Sequence, residues 1–172
     1  VSDRAQLDRE TIGTLTVVVE VTDSGAVPRS ERATITIALN DVNEFTPNIT
    51  SNPNFSIVEN RVAVGSVVAS DGDVDAAPLT YSLVGGADLS LFTVNATTGA
   101  LRFVAAPNFE SPADAGADNI YNVNVRVSDG DRSSIQNLAV RVTNGNDAPV
   151  IVSTATALVA ENQTAVLTIV AS

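Results

Sequence analysis

The chain contains no cysteine and no histidine, and its nine basic residues are all arginine. Without thiols there are no disulfides and no thiolate metal sites. Without imidazole, the commonest zinc ligand and the usual base of a nucleophilic triad are both missing. Tryptophan is absent, and aromatics make up only 4% of 172 residues, so a core must rest on Val, Ile, Leu and Ala. Such residues suit thin layers of strands. No apolar run approaches the roughly 18 residues that a transmembrane helix requires. The opening "VSDRAQLDRET" reads as the interior of a longer protein, and the chain is taken as a fragment.

What is abundant is negative charge. Twenty acids against nine bases give a formal net charge of −11. That removes the basic footprint a nucleic-acid partner needs. An acidic surface attracts cations or keeps the protein soluble. Apolar residues reach 44%, the share of an ordinary folded domain rather than a disordered one.

Period-two alternation is the dominant pattern, and it predicts half-buried antiparallel strands. "LTVVVEVTD" places Leu15, Val17, Val19 and Val21 on one face, and "ATITIALN" does the same with Ala33, Ile35, Ile37 and Leu39. "YNVNVRVSD" aligns Tyr121, Val123, Val125 and Val127, and "LAVRV" aligns Leu138, Val140 and Val142. The chain also resembles itself. "LDRE" at Glu10 returns as "PNFE" at Glu110, and "VTD" at Asp23 returns as "VSD" at Asp129. "VNE" at Glu44 returns as "GND" at Asp147, and "VEN" at Glu59 returns as "AEN" at Glu161. The offsets are 100, 106, 103 and 102 residues, so the repeating unit is a whole domain. Residues 48–147 are expected to form one complete repeat, 1–47 the end of a preceding one and 148–172 the first two strands of a following one. Strands in the complete repeat are expected near 55–59, 64–70, 78–83, 91–94, 100–104, 119–128 and 134–143. Seven short strands in that length predict an all-β sandwich of two antiparallel sheets. The hairpin of residues 13–40 would show an apolar face with no opposing sheet.

The acids gather where strands end: Asp8 and Glu10, Asp41 and Glu44, Asp71, Asp73 and Asp75, Asp129 and Asp131. Asp and Asn are good turn formers, which accounts for any one of them. Several carboxylates meeting at a domain junction, however, repel one another unless a cation lies between them. Calcium suits an irregular set of oxygen ligands better than magnesium, which demands a strict octahedron. "DGDVD" lacks the glycine and closing glutamate of an EF-hand loop.

Taken together, "LDRE", "VTDSG", "DVNEFTP", "VEN", "SDGD", "LTYSL", "FTVNATTGAL" and "YNVNVRVSDG" resemble the signature segments of cadherin repeats, bacterial cadherin-like repeats in particular. The resemblance implies a seven-stranded Greek-key, immunoglobulin-like sandwich, arranged in tandem and binding Ca2+ at each junction. Carried over motif by motif, it implies a first site from Asp8 and Glu10, from Asn43 and Glu44 with the carbonyls of Val42 and Phe45, from Asp71 and Asp73, and from Asp129. Glu44 stands where the family has Asp and Phe45 where it has Asn, and the "DGDVDAAP" loop is short, so Asp75 could replace its last ligand. A second site would use Glu59, Glu110, Asn146 and Asp147. Asn108 replaces an expected Asp there and "NGNDAP" is one residue short, so this junction is expected to bind fewer ions or bind weakly.

On this reading the chain is a non-catalytic, calcium-rigidified extracellular module of a large adhesive protein, secreted or anchored at the cell surface. Its partners would be neighbouring repeats and a further copy, a surface protein or a polysaccharide. Two alternatives compete. A spacer or carbohydrate-binding module of a polysaccharide-active enzyme would need exposed aromatics, yet Phe92, Phe103 and Tyr121 fit core positions. A glycosidase would need a carboxylate pair such as Glu59 with Glu110. The sequons at Asn48, Asn54, Asn95 and Asn162 read as coincidence in a chain rich in Asn and Thr.

Overall fold

Alternation fixes which side of each strand is dry. In β10 (Ile120–Ser128), Tyr121, Val123, Val125 and Val127 are at most 1% exposed, while Asn122 and Arg126 face solvent. These observations come from a computed structural model, which describes residues 7–74, 77–156, 158–162, 164 and 168–171. β11 (Ser133–Thr143) answers β10 with Leu138 opposite Val123 and Val140 opposite Tyr121. On the outer side of β10, β7 (Thr80–Gly85) pairs antiparallel. On the outer side of β11, β4 (Asn54–Val58) pairs parallel. The resulting sheet runs β4-β11-β10-β7, and a second sheet runs β5-β9-β8, from Ala63–Ser66, Ala100–Phe103 and Phe92–Val94. These seven strands make the expected Ig-like sandwich.

The core between the sheets centres on three aromatic rings. Phe92 and Phe103 lie 4.4 Å apart, and the Tyr121 ring meets Phe103 edge-on at 5.0 Å. Such T-shaped pairs place a positive ring edge on a negative face. The Tyr121 hydroxyl accepts a hydrogen bond from the N–H of Ala113, so its polar tip is satisfied.

Three elements depart from the sequence pattern. The expected strand 64–70 breaks into β5 and β6 (Ala69–Ser70). Between them Val67 turns into the core, 1% exposed, with its N–H bonded to the Gly99 carbonyl. β6 pairs instead with β3 (Asn48–Ile49), a strand too short to leave a periodic signal. Near the C-terminus, where two strands were expected, the described residues show a bridge between Ile151 and Ala171. Ile151, Ile169 and Val170 are each more than half exposed.

The hairpin of β1 (Thr14–Thr22) and β2 (Ser30–Ala38) forms as its pattern requires, with Leu15 opposite Ile37 and Val17 opposite Ile35. Its apolar residues Val17, Val19, Ile35 and Ile37 remain 39–48% exposed. The segment after β2 is docked on the sandwich. Pro47 is fully buried, and its carbonyl accepts a hydrogen bond from the Ser134 hydroxyl.

The loop before β10 is held by carboxylates. Asp88, 3% exposed, accepts from the N–H groups of Ala115 and Asn122, both at 2.7 Å. Asp114 accepts from those of Asp118 and Asn119, both at 3.0 Å. Burial alone would raise the Asp114 pKa, but the Asp118 and Asn119 donors outweigh it and hold the carboxyl below its usual range. A depressed native pKa adds stability above the unfolded value of about 4 and loses it as pH falls through the native value. Asp114→Asn should therefore be less stable than the wild type at pH 7, with the gap closing in denaturant melts below about pH 4. A gap of constant size down to pH 2 would rule this out.

Candidate metal centre

The linker, residues 39–47 between β2 and β3, and the 71–73 loop bring the acids of the first cluster together. Asp8 starts a tight turn: its carboxylate accepts from the N–H groups of Glu10 and Thr11 and from the Thr11 hydroxyl. The Thr11 hydroxyl and the Glu10 contact hold its pKa low. The turn aims Glu10 at the linker. One carboxylate oxygen each from Asp8, Glu10 and Glu44 lies within 4.8 Å of the others, and a second triad joins Glu10 with Asp41 and Asp73. The Glu10 pKa is pushed up to about 7, first by the Asp41 carboxyl beside it, then by burial, with Asp8 and Glu44 adding to the effect.

The other acids share a pattern in which one oxygen is anchored. Asp73 Oδ1 accepts from the N–H groups of Glu44 at 3.1 Å and Phe45 at 3.3 Å, and Asp71 Oδ1 accepts from the Asp73 N–H at 3.2 Å. Asp129 Oδ1 accepts from the N–H groups of Arg132 and Asp131, and the Arg132 bond leads in holding its pKa below the usual range. Their partner oxygens are different. Asp71 Oδ2, Asp73 Oδ2 and Asn43 Oδ1 are buried and accept no hydrogen bond from the described residues. Buried oxygens without donors are costly and rare in native proteins. Asp41, Asn43, Asp73, Asp129 and Asp131 line a cavity of about 370 Å³, with Gly130 at its edge.

The second cluster is built from Glu59, Glu110 and Asp147, whose nearest oxygens also lie within 4.8 Å of one another. Glu59 follows β4 and is 2% exposed. Its two oxygens accept from the N–H groups of Phe109 and Gly145, both at 2.7 Å, and these bonds, Phe109 first, keep its pKa low. Asn60 Nδ2 donates to Asp147 at 3.0 Å and Asn144 Nδ2 to Glu110 at 2.7 Å. Here every carboxylate already has a donor. Asn146 is exposed, between Gly145 and Asp147.

The structure thus gathers the sequence-derived Asp8, Glu10, Glu44 and Asp73 into one cluster, seats Asn43 and Asp129 on the adjoining cavity, and ties Asp71 to Asp73. Glu59, Glu110 and Asp147 form the other. Val42 is exposed beside Asn43. Asp75 lies outside the described residues. Motif transfer omitted Asp41, although it opens "DVNEFTP", and omitted the amides of Asn60 and Asn144. Asp41 was visible as a strand-end acid, and the two amides as the last residue of "VEN" and the first of "NGNDAP". Every side-chain donor in both clusters is oxygen, a set that fits a hard divalent cation.

The Ig-like sandwich with acids gathered at its two ends is similar to the extracellular repeats of cadherins. Over 152 residues the chain is 28% identical to Protocadherin Fat 4 of Homo sapiens, covering 84% of this chain and 3% of that protein. It is 33% identical over 160 residues to the protein dachsous of Drosophila melanogaster, covering 86% of this chain and 4% of dachsous. Extracellular cadherin domains 1-5 of Protocadherin Gamma B2 superpose with a TM-score of 0.66 at 26% identity, over 88% of this chain and 30% of that one. Residues 40–141 match the bacterial Ig domain family, and the chain belongs to that family. The match takes in most of the linker and the seven strands of the sandwich, ending at Arg141 within β11.

Proposed function

We propose that the chain is a calcium-binding, non-catalytic segment of an extracellular adhesive or structural protein. In this reading, residues 48–147 are one complete repeat, flanked by parts of its neighbours at 1–47 and 148–172. The observation that carries the calcium assignment is the set of buried, donorless oxygens on Asp71, Asp73 and Asn43 beside the Glu10–Asp41–Asp73 triad. Asp8, Glu10, Asn43, Glu44, Asp71, Asp73 and Asp129 would hold the ions of the first site. Bound calcium would supply the positive charge that mutual repulsion among these carboxylates requires. The linker would then stiffen, because its residues and the 71–73 loop would share ligands. The second cluster would bind more weakly, since its carboxylates are already engaged by backbone and amide donors.

Surface location and partners follow from the same reading: neighbouring repeats first, then another copy, a surface protein or a polysaccharide. Against a sugar-binding module, Phe92, Phe103 and Tyr121 are at most 5% exposed and so are not offered to a ligand.

Calorimetric titration of the 172-residue chain with calcium tests the assignment. Saturable binding is expected, with little competition from equimolar magnesium. Binding to the native state alone stabilises it by about 2.7 kcal/mol at a hundredfold excess over Kd, so chelator should lower the melting temperature. An absence of binding heat, together with identical melts in calcium and in chelator, would defeat the proposal.

A further inference from the structure

Phe45 is the one large apolar side chain in the acidic part of the linker besides Val42, and it is 46% exposed. Its ring rests on Gly72, between Asp71 and Asp73. A methyl carbon on Gly72 would lie 2.7 Å from Phe45 Cγ and 3.0 and 3.1 Å from its Cδ atoms, inside contact distance. Gly72 does not have a positive φ, so its backbone conformation alone does not call for glycine. What it provides is room for the ring. The same stretch of linker donates the Glu44 and Phe45 N–H groups to Asp73 Oδ1, and the Asp73 N–H in turn bonds Asp71.

We propose that the Phe45 side chain is a positioning residue: packed on Gly72, it clamps the 71–73 loop to the linker and presets Asp71 and Asp73 before any cation arrives. Its consequence for affinity rests on the calcium reading above, whereas the clamp itself does not. The ring excludes water from the Glu44 and Phe45 amide bonds to Asp73. It also limits how far the two carboxylates can separate under their own repulsion when metal is absent. Apolar packing is insensitive to charge, so it can hold what electrostatics would open.

The test is a cycle of Phe45→Ala, Gly72→Ala and the double variant, with Phe45→Tyr as the conservative control. In chelator, amide hydrogen exchange at residues 44 and 45 should speed up by about tenfold in each single variant, while exchange at Val123 and Val140 stays unchanged. Calcium affinity should fall by about tenfold in each, the scale of a lost supporting contact. With the ring gone, a methyl at position 72 has nothing to strike, so the double variant should match Phe45→Ala. Phe45→Tyr, which keeps the ring, should behave as the wild type. Unchanged exchange at residues 44 and 45, or a Gly72→Ala effect of the same size with and without the ring, overturns the clamp. If exchange responds as described but the wild type binds no calcium, the clamp stands and the calcium reading fails.

Discussion

Tyr121→Ala should remove a large share of the sandwich's stability at 25 °C. Large-to-small replacement of a buried aromatic costs about 3–5 kcal/mol, and domains of this size are typically stable by about 5–15 kcal/mol. Tyr121 lies at the upper end of that range for three reasons. It is 1% exposed, its ring packs edge-on against both Phe92 and Phe103, and its hydroxyl accepts the N–H of Ala113. Truncation removes apolar area and both ring contacts, and leaves the Ala113 N–H without its acceptor. Tyr121→Phe separates these effects, because it keeps the packing and should lose only about 1 kcal/mol. Urea melts would decide. A Tyr121→Ala variant within 1 kcal/mol of the wild type would mean that the aromatic cluster does not anchor the core.

Tyr121 also shows why so much of the fold was legible. It sits at the head of a strict apolar–polar alternation, and with a period of two only one face of β10 can be dry. The same logic placed β11 and the β1–β2 hairpin. It failed at "VAVGSVVAS", where a mostly apolar stretch conceals a hop between partners. Gly65 lies against the Phe55 ring, Val67 leaves the ladder for the core, and Ala69 then pairs with Ile49. Nothing local marks that switch, because it is imposed by strands distant in sequence. For the candidate metal centre, motif spacing identified acids that converge, because strand ends in a sandwich meet at its two poles. It could not say which oxygens would be satisfied. Glu59 and Asp73 read alike in sequence, yet Glu59 has both oxygens capped by N–H groups and Asp73 has one buried oxygen with no donor among the described residues.

That difference sets the second large effect. Asp73→Asn should weaken calcium binding at the first cluster by roughly 100-fold or more, beyond the range of a merely supporting group. The replacement is nearly isosteric. Its amide oxygen can still accept from the Glu44 and Phe45 N–H groups, so the loop can stay docked. What changes is the outward atom: a donorless carboxylate oxygen, 7% exposed as a residue and grouped with Glu10 and Asp41, becomes an NH2 that turns hydrogens toward the cation. One negative charge is lost as well, which in the metal-free protein relieves repulsion. Asp73→Asn should therefore melt no lower than the wild type in chelator but gain far less from calcium. Glu110→Gln offers the contrast. Glu110 is exposed and already accepts from Asn144, so total calcium uptake should change by less than about tenfold. Equal titrations for Asp73→Asn and the wild type would show that the orphan oxygen is not a ligand, and the crowding of acids at this pole would then reflect turn formation alone.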